Sequence, residues 1–168
     1  MSTEFIALLA NLALTLSVIV AVIFGIVQMQ TSKKDRRERL TLEALRNFQS
    51  RDFASLLLLT STTKFPATSE EWQSWSKEDR EKSIQLLQLM ESLGILLADK
   101  LINYDLVDKT LGSYVSTSWE RFKPLVTDLR KNLSDPFMSE YFQWMAEEID
   151  KRMRERPRKP YYESHSQH

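Results

Sequence analysis

From Phe5 to Val27 the chain carries neither charge nor proline, and Lys33, Lys34, Arg36, Arg37 and Arg39 follow within a dozen residues. A helix rises about 1.5 Å per residue, so this run would be roughly 34 Å long, enough to cross a hydrocarbon core of about 30 Å with some tilt. The pattern then changes. Leu40, Leu42, Leu45 and Phe48 recur at helical spacing within a charged helix predicted over Thr31–Gln49. A second, short helix is predicted over Arg51–Thr60, with Phe53, Leu56, Leu57, Leu58 and Leu59 as core, followed by a Ser/Thr-rich loop from Ser61 to Ser69 around Pro66.

Ser69-Glu70-Glu71-Trp72 reads as a helix start, and Ser76 with Asp79 three residues on reads as a capped one. The main helix is predicted over Lys77–Asp99, with Ile84, Leu87, Met90, Glu91, Gly94 and Leu97 marking its period. Another helix is predicted from Tyr104 through Leu111, Val115, Trp119 and Phe122 to Pro124, which should either kink it or open a new helix. Leu125–Leu133 continues helical, Ser134-Asp135-Pro136 interrupts, and Phe137–Arg154 should form the last helix. Strand signals are nearly absent, so the expected fold class is all-α, one N-terminal transmembrane helix followed by a cytoplasmic helical bundle. The expected division is 1–30 transmembrane anchor, 31–50 basic juxtamembrane helix, 51–155 bundle and 156–168 disordered tail, the tail being polar and short of apolar surface.

The flanks of the apolar run decide what it is. A secretory signal would carry a basic start, a shorter apolar stretch and a small-residue cleavage site. Glu4 is the single charge before this run, and Gln28-Met29-Gln30-Thr31 offers no convincing cleavage site, so an uncleaved anchor is expected. Five Lys or Arg after the span and none before it place the carboxy-terminal side in the cytoplasm, with a short amino terminus outside the inner (plasma) membrane. The same five residues suit anionic lipid headgroups.

Within the span, Ala13, Ser17, Ala21 and Gly25 recur every four residues. Small side chains allow close approach of helix backbones in lipid, and Asn11 and Thr15, one turn apart and beside that stripe, would add interhelical hydrogen bonds. A homo-oligomer or a place among the subunits of a membrane complex is therefore expected.

Composition removes several function classes. The chain has 23 Lys+Arg and 23 Asp+Glu, which argues against a dedicated nucleic-acid binder despite the basic cluster from Lys151 to Lys159. With no cysteine and both histidines, His165 and His168, near the carboxy terminus, no metal site and no cofactor are expected. Ser113, Ser116 and Ser118 lack a histidine base, so acyl-transfer chemistry is not expected. Trp72, Trp75, Trp119 and Trp144 fit a core better than a ligand cage. Arg158 and His165, separated by six residues, resemble the active-site spacing of the helical nucleases of prokaryotic defence and toxin systems. Pro157 and Pro160 would break the helix that site needs.

A broader resemblance covers Arg80–Ile149. Leu86-Leu87-Gln88-Leu89-Met90-Glu91-Ser92-Leu93-Gly94 with Leu96, then Leu101-Ile102-Asn103, Leu106-Val107, Leu111-Gly112, Trp119-Glu120-Arg121-Phe122-Lys123-Pro124 and Phe142-Gln143-Trp144-Met145-Ala146-Glu147, resemble the bacterial domain-of-unknown-function 4760 family. Gln143 stands where that family tends to show an acid. The resemblance implies a helical, membrane-anchored protein and supplies no activity. The sequence thus leads to a membrane-anchored helical interaction module, not an enzyme, with a pore-forming or membrane-perturbing effector as the alternative and a helical RNase as the third reading.

Overall fold

The computed structural model describes residues 3–62 and 64–164. Its secondary structure among these residues is entirely helical: α1 (Thr3–Asn47), α2 (Arg51–Thr62), α3 (Ser69–Gln73), α4 (Lys77–Ala98), α5 (Tyr104–Leu133), α6 (Glu140–Glu155) and α7 (Tyr161–Ser164). Two units divide the chain, Met1–Arg39 and Leu40–His168.

The first unit is the greater part of α1. Among the described residues one helix is long and apolar enough to cross a membrane, and none of its apolar window is buried. Leu8, Leu12, Leu16, Ile23 and Phe24 all stand exposed. A core helix of a soluble protein would hide this face.

The second unit begins with the last turns of α1, where Thr41 and Leu45 are buried. Its frame is α4, α5 and α6. The most extensive packing joins α6 to α4 and α5; α2 leans on α4 and α5, and α3 on α5. Leu86, Met90, Val115, Phe122, Phe142 and Met145 fill the centre with at most a trace of exposure. Phe122 and Trp119 meet the Phe142 ring edge-on at centroid distances of 6.3 and 5.2 Å, within the range where aromatic pairs gain beyond their burial.

Local chemistry sets the helix ends. Ser76 Oγ accepts the Asp79 amide at 3.1 Å and donates to the Asp79 carboxylate at 2.8 Å, opening α4. Asn103 Oδ1 accepts the Leu106 amide, opening α5, while the Asn103 amide donates to the buried Thr41 hydroxyl at 2.8 Å. α4 closes with Lys100 in the left-handed region at φ 57°. The Leu101 amide reaches back to Leu96 O and the Lys100 amide to Leu97 O, both at 3.0 Å, the pairing that normally employs glycine.

One alternative is decided and two expectations change. Pro124 opens no new helix: α5 runs 30 residues through it, because the Glu120 carbonyl that loses its donor belongs to an exposed residue that water can serve. The last helix begins at Glu140 instead of Phe137, since Phe137–Ser139 form a turn with Ser139 at φ 56°. Leu58 is 61% exposed while Phe53, Leu56 and Leu59 are buried; four consecutive leucines on a helix span more than one face.

Candidate functional site

The residues that sequence patterning marks for function lie on α1. Asn11, Ala13, Thr15, Ser17, Ala21 and Gly25 are all exposed. Thr15 Oγ1 donates to Asn11 O and Ser17 Oγ to Ala13 O, each at 2.8 Å, so both hydroxyls are satisfied within the helix. A Cβ added at Gly25 would meet nothing within 4 Å. At about 100° per residue, Asn11 lies roughly 40° from Gly25 but roughly 160° from Ala13. It is therefore beside one end of the small-residue stripe and opposite the other.

Lys33, Lys34, Arg36, Arg37 and Arg39 are exposed. Their positions cover about 220° of the circumference of α1 within about two turns, with Asp35 and Glu38 in the remaining sector. Lys34 also makes a loose ion pair with Glu38 at 3.9 Å. Such a collar suits a helix passing through a headgroup layer better than one lying along it, where cations would collect on one side.

In the bundle, a different set of polar residues comes together. Glu91, in the middle of α4, presents Oε2 to the Phe142 amide at 2.8 Å and Oε1 to the Tyr141 amide at 3.2 Å. The carboxylate thereby caps α6, whose own Ser139 makes no side-chain cap, and it sits at the positive end of the helix dipole. One turn further along α4, Gly94 lets the backbones meet: a Cβ there would lie 2.5 Å from Tyr141 O and 2.6 Å from Tyr141 C. Sequence reading placed Glu91 and Gly94 on the helix period and missed this joint. An acid embedded in an apolar face, three residues before a helical glycine, was the available signal.

Other polar pairs tie remaining elements. Asp128 accepts the Ser69 amide at 2.8 Å, which with further bonds from Ser69 and Asn132 holds its carboxyl below the ordinary value of 3.8. Ser116 Oγ donates to Asp150 at 2.7 Å, and Trp72 Nε1 to Ser83 Oγ at 2.9 Å. Arg152 lies 3.7 Å from the Tyr104 ring centroid and reaches Glu148 at 3.1 Å. Burial pushes the Tyr104 phenol well above its ordinary range, against the pull of Arg152, so it stays protonated.

Arg158 reaches Asp108 Oδ1 at 3.4 Å, in a cleft of about 420 Å³ where Asp105, Glu148, Arg152 and Arg156 also lie. Asp108 folds back over Gly112, where a Cβ would lie 2.5 Å from its Oδ1. Residues 157–160 are not helical, and His165 and His168 lie outside the described residues. Among the described residues no three His, Cys, Asp or Glu side chains group as a metal would require. Nor do the four tryptophans form a cage. Trp119 is buried, Trp75 packs on Phe65, and Trp144 is 39% exposed.

The family model described as Domain of unknown function (DUF4760) matches residues 15–149. The chain belongs to this family. No curated protein and no solved structure matches it significantly. The DUF4760 match takes in a little over half of the apolar run, α2, α4 and α5 whole, and α6 as far as Ile149. The residues that carry the resemblance serve as joints: Glu91 caps, Gly94 permits the α4–α6 crossing, Asn103 opens α5, Gly112 leaves room for Asp108, and Trp119 meets Phe142 edge-on. Gln143, in place of an acid, accepts from Arg130 at 2.7 Å and donates to Glu147 at 2.8 Å.

Proposed function

We infer that the chain is a single-pass protein of the inner (plasma) membrane whose cytoplasmic bundle is an interaction module, either self-associating or serving as a small subunit of a membrane complex. The observation that carries this reading is the wholly exposed apolar face of α1, bounded by its collar of five basic residues. Burying that face in lipid removes a large apolar area from water at about 25 cal/mol per Å², and the basic residues after it set the carboxy-terminal side as cytoplasmic. The bundle's polar side chains serve mainly to close helices and join elements, which suits a scaffold.

The pore reading starts from Asn11, Thr15, Ser17 and Gln28, since polar groups in a membrane tend to face protein or water. Thr15 and Ser17 donate their hydroxyls to the Asn11 and Ala13 carbonyls of the same helix, which removes half of that support.

Native mass spectrometry of the chain extracted gently from its own membranes tests the function. A homo-oligomer or stoichiometric foreign subunits is the expected result. A lone chain, or one that needs no detergent to leave the membrane pellet, would overturn it.

A further inference from the structure

This inference rests on the reading of α1 as a membrane span and names what the span packs against. The polar side chains there fall into two groups. The hydroxyls of Thr15, Ser17 and Thr31 each donate to the carbonyl four residues back, at 2.8, 2.8 and 3.0 Å. The carboxamides of Asn11, Gln28 and Gln30 have no hydrogen-bond partner among the described residues, and of the three Asn11 alone lies inside the apolar run. Each offers two N–H donors and a carbonyl acceptor. Asn11 lies about 9 Å inside the apolar run, where no water is available to take their place.

Asn11 and Gln28 lie 17 residues apart, two heptads plus three, and so fall on one a/d line of a heptad, with Gln30 off it. Alternate steps of three and four residues from Asn11 pass through Leu14, Val18, Ala21 and Gly25 to Gln28. All six are exposed on the single helix. The four-residue stripe from Ala13 to Gly25 describes a different packing, crossing with the opposite hand. Because Asn11 lies opposite Ala13, two helices joined along that stripe would leave its carboxamide in lipid. The carboxamides thus choose between the two geometries.

They also choose the partner. Copies of one chain inserted by the same signals cross the membrane in the same direction, so each residue meets its own equivalent at the same depth. A carboxamide is self-complementary, donor to acceptor, whereas a foreign helix would need a matching group placed at that depth. A polar residue at an a position is a known means of fixing register in two-stranded coiled coils. We propose that the span pairs in parallel with a second copy of this chain along the Asn11–Leu14–Val18–Ala21–Gly25–Gln28 seam, held in register by an Asn11–Asn11 hydrogen bond.

The chain has no cysteine, so single-cysteine variants of the full chain in native membranes report proximity without background. Oxidation is expected to trap dimer in Leu14→Cys and Val18→Cys, and not in Leu12→Cys, Ala13→Cys or Leu16→Cys. Adding Asn11→Leu to Val18→Cys is expected to lower the trapped fraction roughly three- to tenfold, and Asn11→Gln to retain it. Trapping at Ala13→Cys and Ser17→Cys in place of Leu14→Cys and Val18→Cys would overturn the seam and leave self-association standing. Uniform or absent trapping in membrane-resident chain, or a fraction that Asn11→Leu does not change, would also overturn it. Recovery of the chain outside the carbonate-washed membrane pellet would overturn both the seam and the anchored reading.

Discussion

Gly25 and Gly94 both sit inside long helices, yet their surroundings are opposite. A methyl group added to Gly25 would meet nothing within 4 Å, and one added to Gly94 would strike the backbone of Tyr141. In the bundle, space is filled by the chain's own elements, and a missing side chain records a neighbour already present. On the span the space is open, so any reason for a small residue there lies outside the single chain.

The sharpest way to break this contrast is to fill both sites. Gly94→Ala is expected to destabilise the bundle by roughly 3 kcal/mol, because the clash is with backbone that cannot rotate away, whereas Gly25→Ala should leave its melting unchanged. Thermal unfolding of the two full-length variants in the same detergent, followed by circular dichroism, checks the pair. Equal melting temperatures would end the comparison.

Next in size is Glu91→Ala, expected to destabilise by about 2 kcal/mol because the Tyr141 and Phe142 amides lose their acceptor. Glu91→Gln should lose less, since its remaining oxygen still accepts. Denaturant titrations of both variants give the order. Lys100→Gly works in the other direction. Lys100 occupies a left-handed position, and glycine there should stabilise by about 0.5–1 kcal/mol, seen as a raised unfolding midpoint.

The smallest effect is electrostatic. The Asp128 carboxyl titrates below its ordinary value in the folded chain. Its contribution is therefore complete above the ordinary carboxyl range and is lost as the pH falls through the lower folded-state value. Asp128→Asn should therefore lower stability modestly at neutral pH and least at the acid end, flattening the acid limb of the stability–pH curve measured by denaturant titration.

Much of the architecture was legible because helix ends are local. Ser76 and Asn103 announce their helices through bonds to residues three positions away, and from Leu87 to Leu97 the expected period of α4 follows its buried face, while Ile84 is exposed. The rest depends on what surrounds each helix. Whether Pro124 ends a helix depends on what serves the Glu120 carbonyl, and the start of α6 depends on a carboxylate contributed by α4. Leu58 was read as core because a four-leucine run hides which face the neighbours will cover. At the candidate site, sequence placed the polar residues of the span but not their bonding. That Thr15 and Ser17 are satisfied while Asn11 and Gln28 are not follows from side-chain reach: a hydroxyl one bond from Cβ folds back onto its own turn, whereas these carboxamides make no such bond.

The cap that Glu91 places on α6 also bears on how the protein is made. It joins residues 51 positions apart, and α6 is the last long helix to be synthesised. Until α6 emerges, α4 lacks the element it packs against most extensively, and its apolar face stays open. The span, by contrast, is complete within the first few dozen residues. On the proposed reading of α1 as a span, membrane delivery can precede bundle closure, and a chain truncated before Phe142 should be delivered as efficiently as the full chain and then be cleared as unfolded.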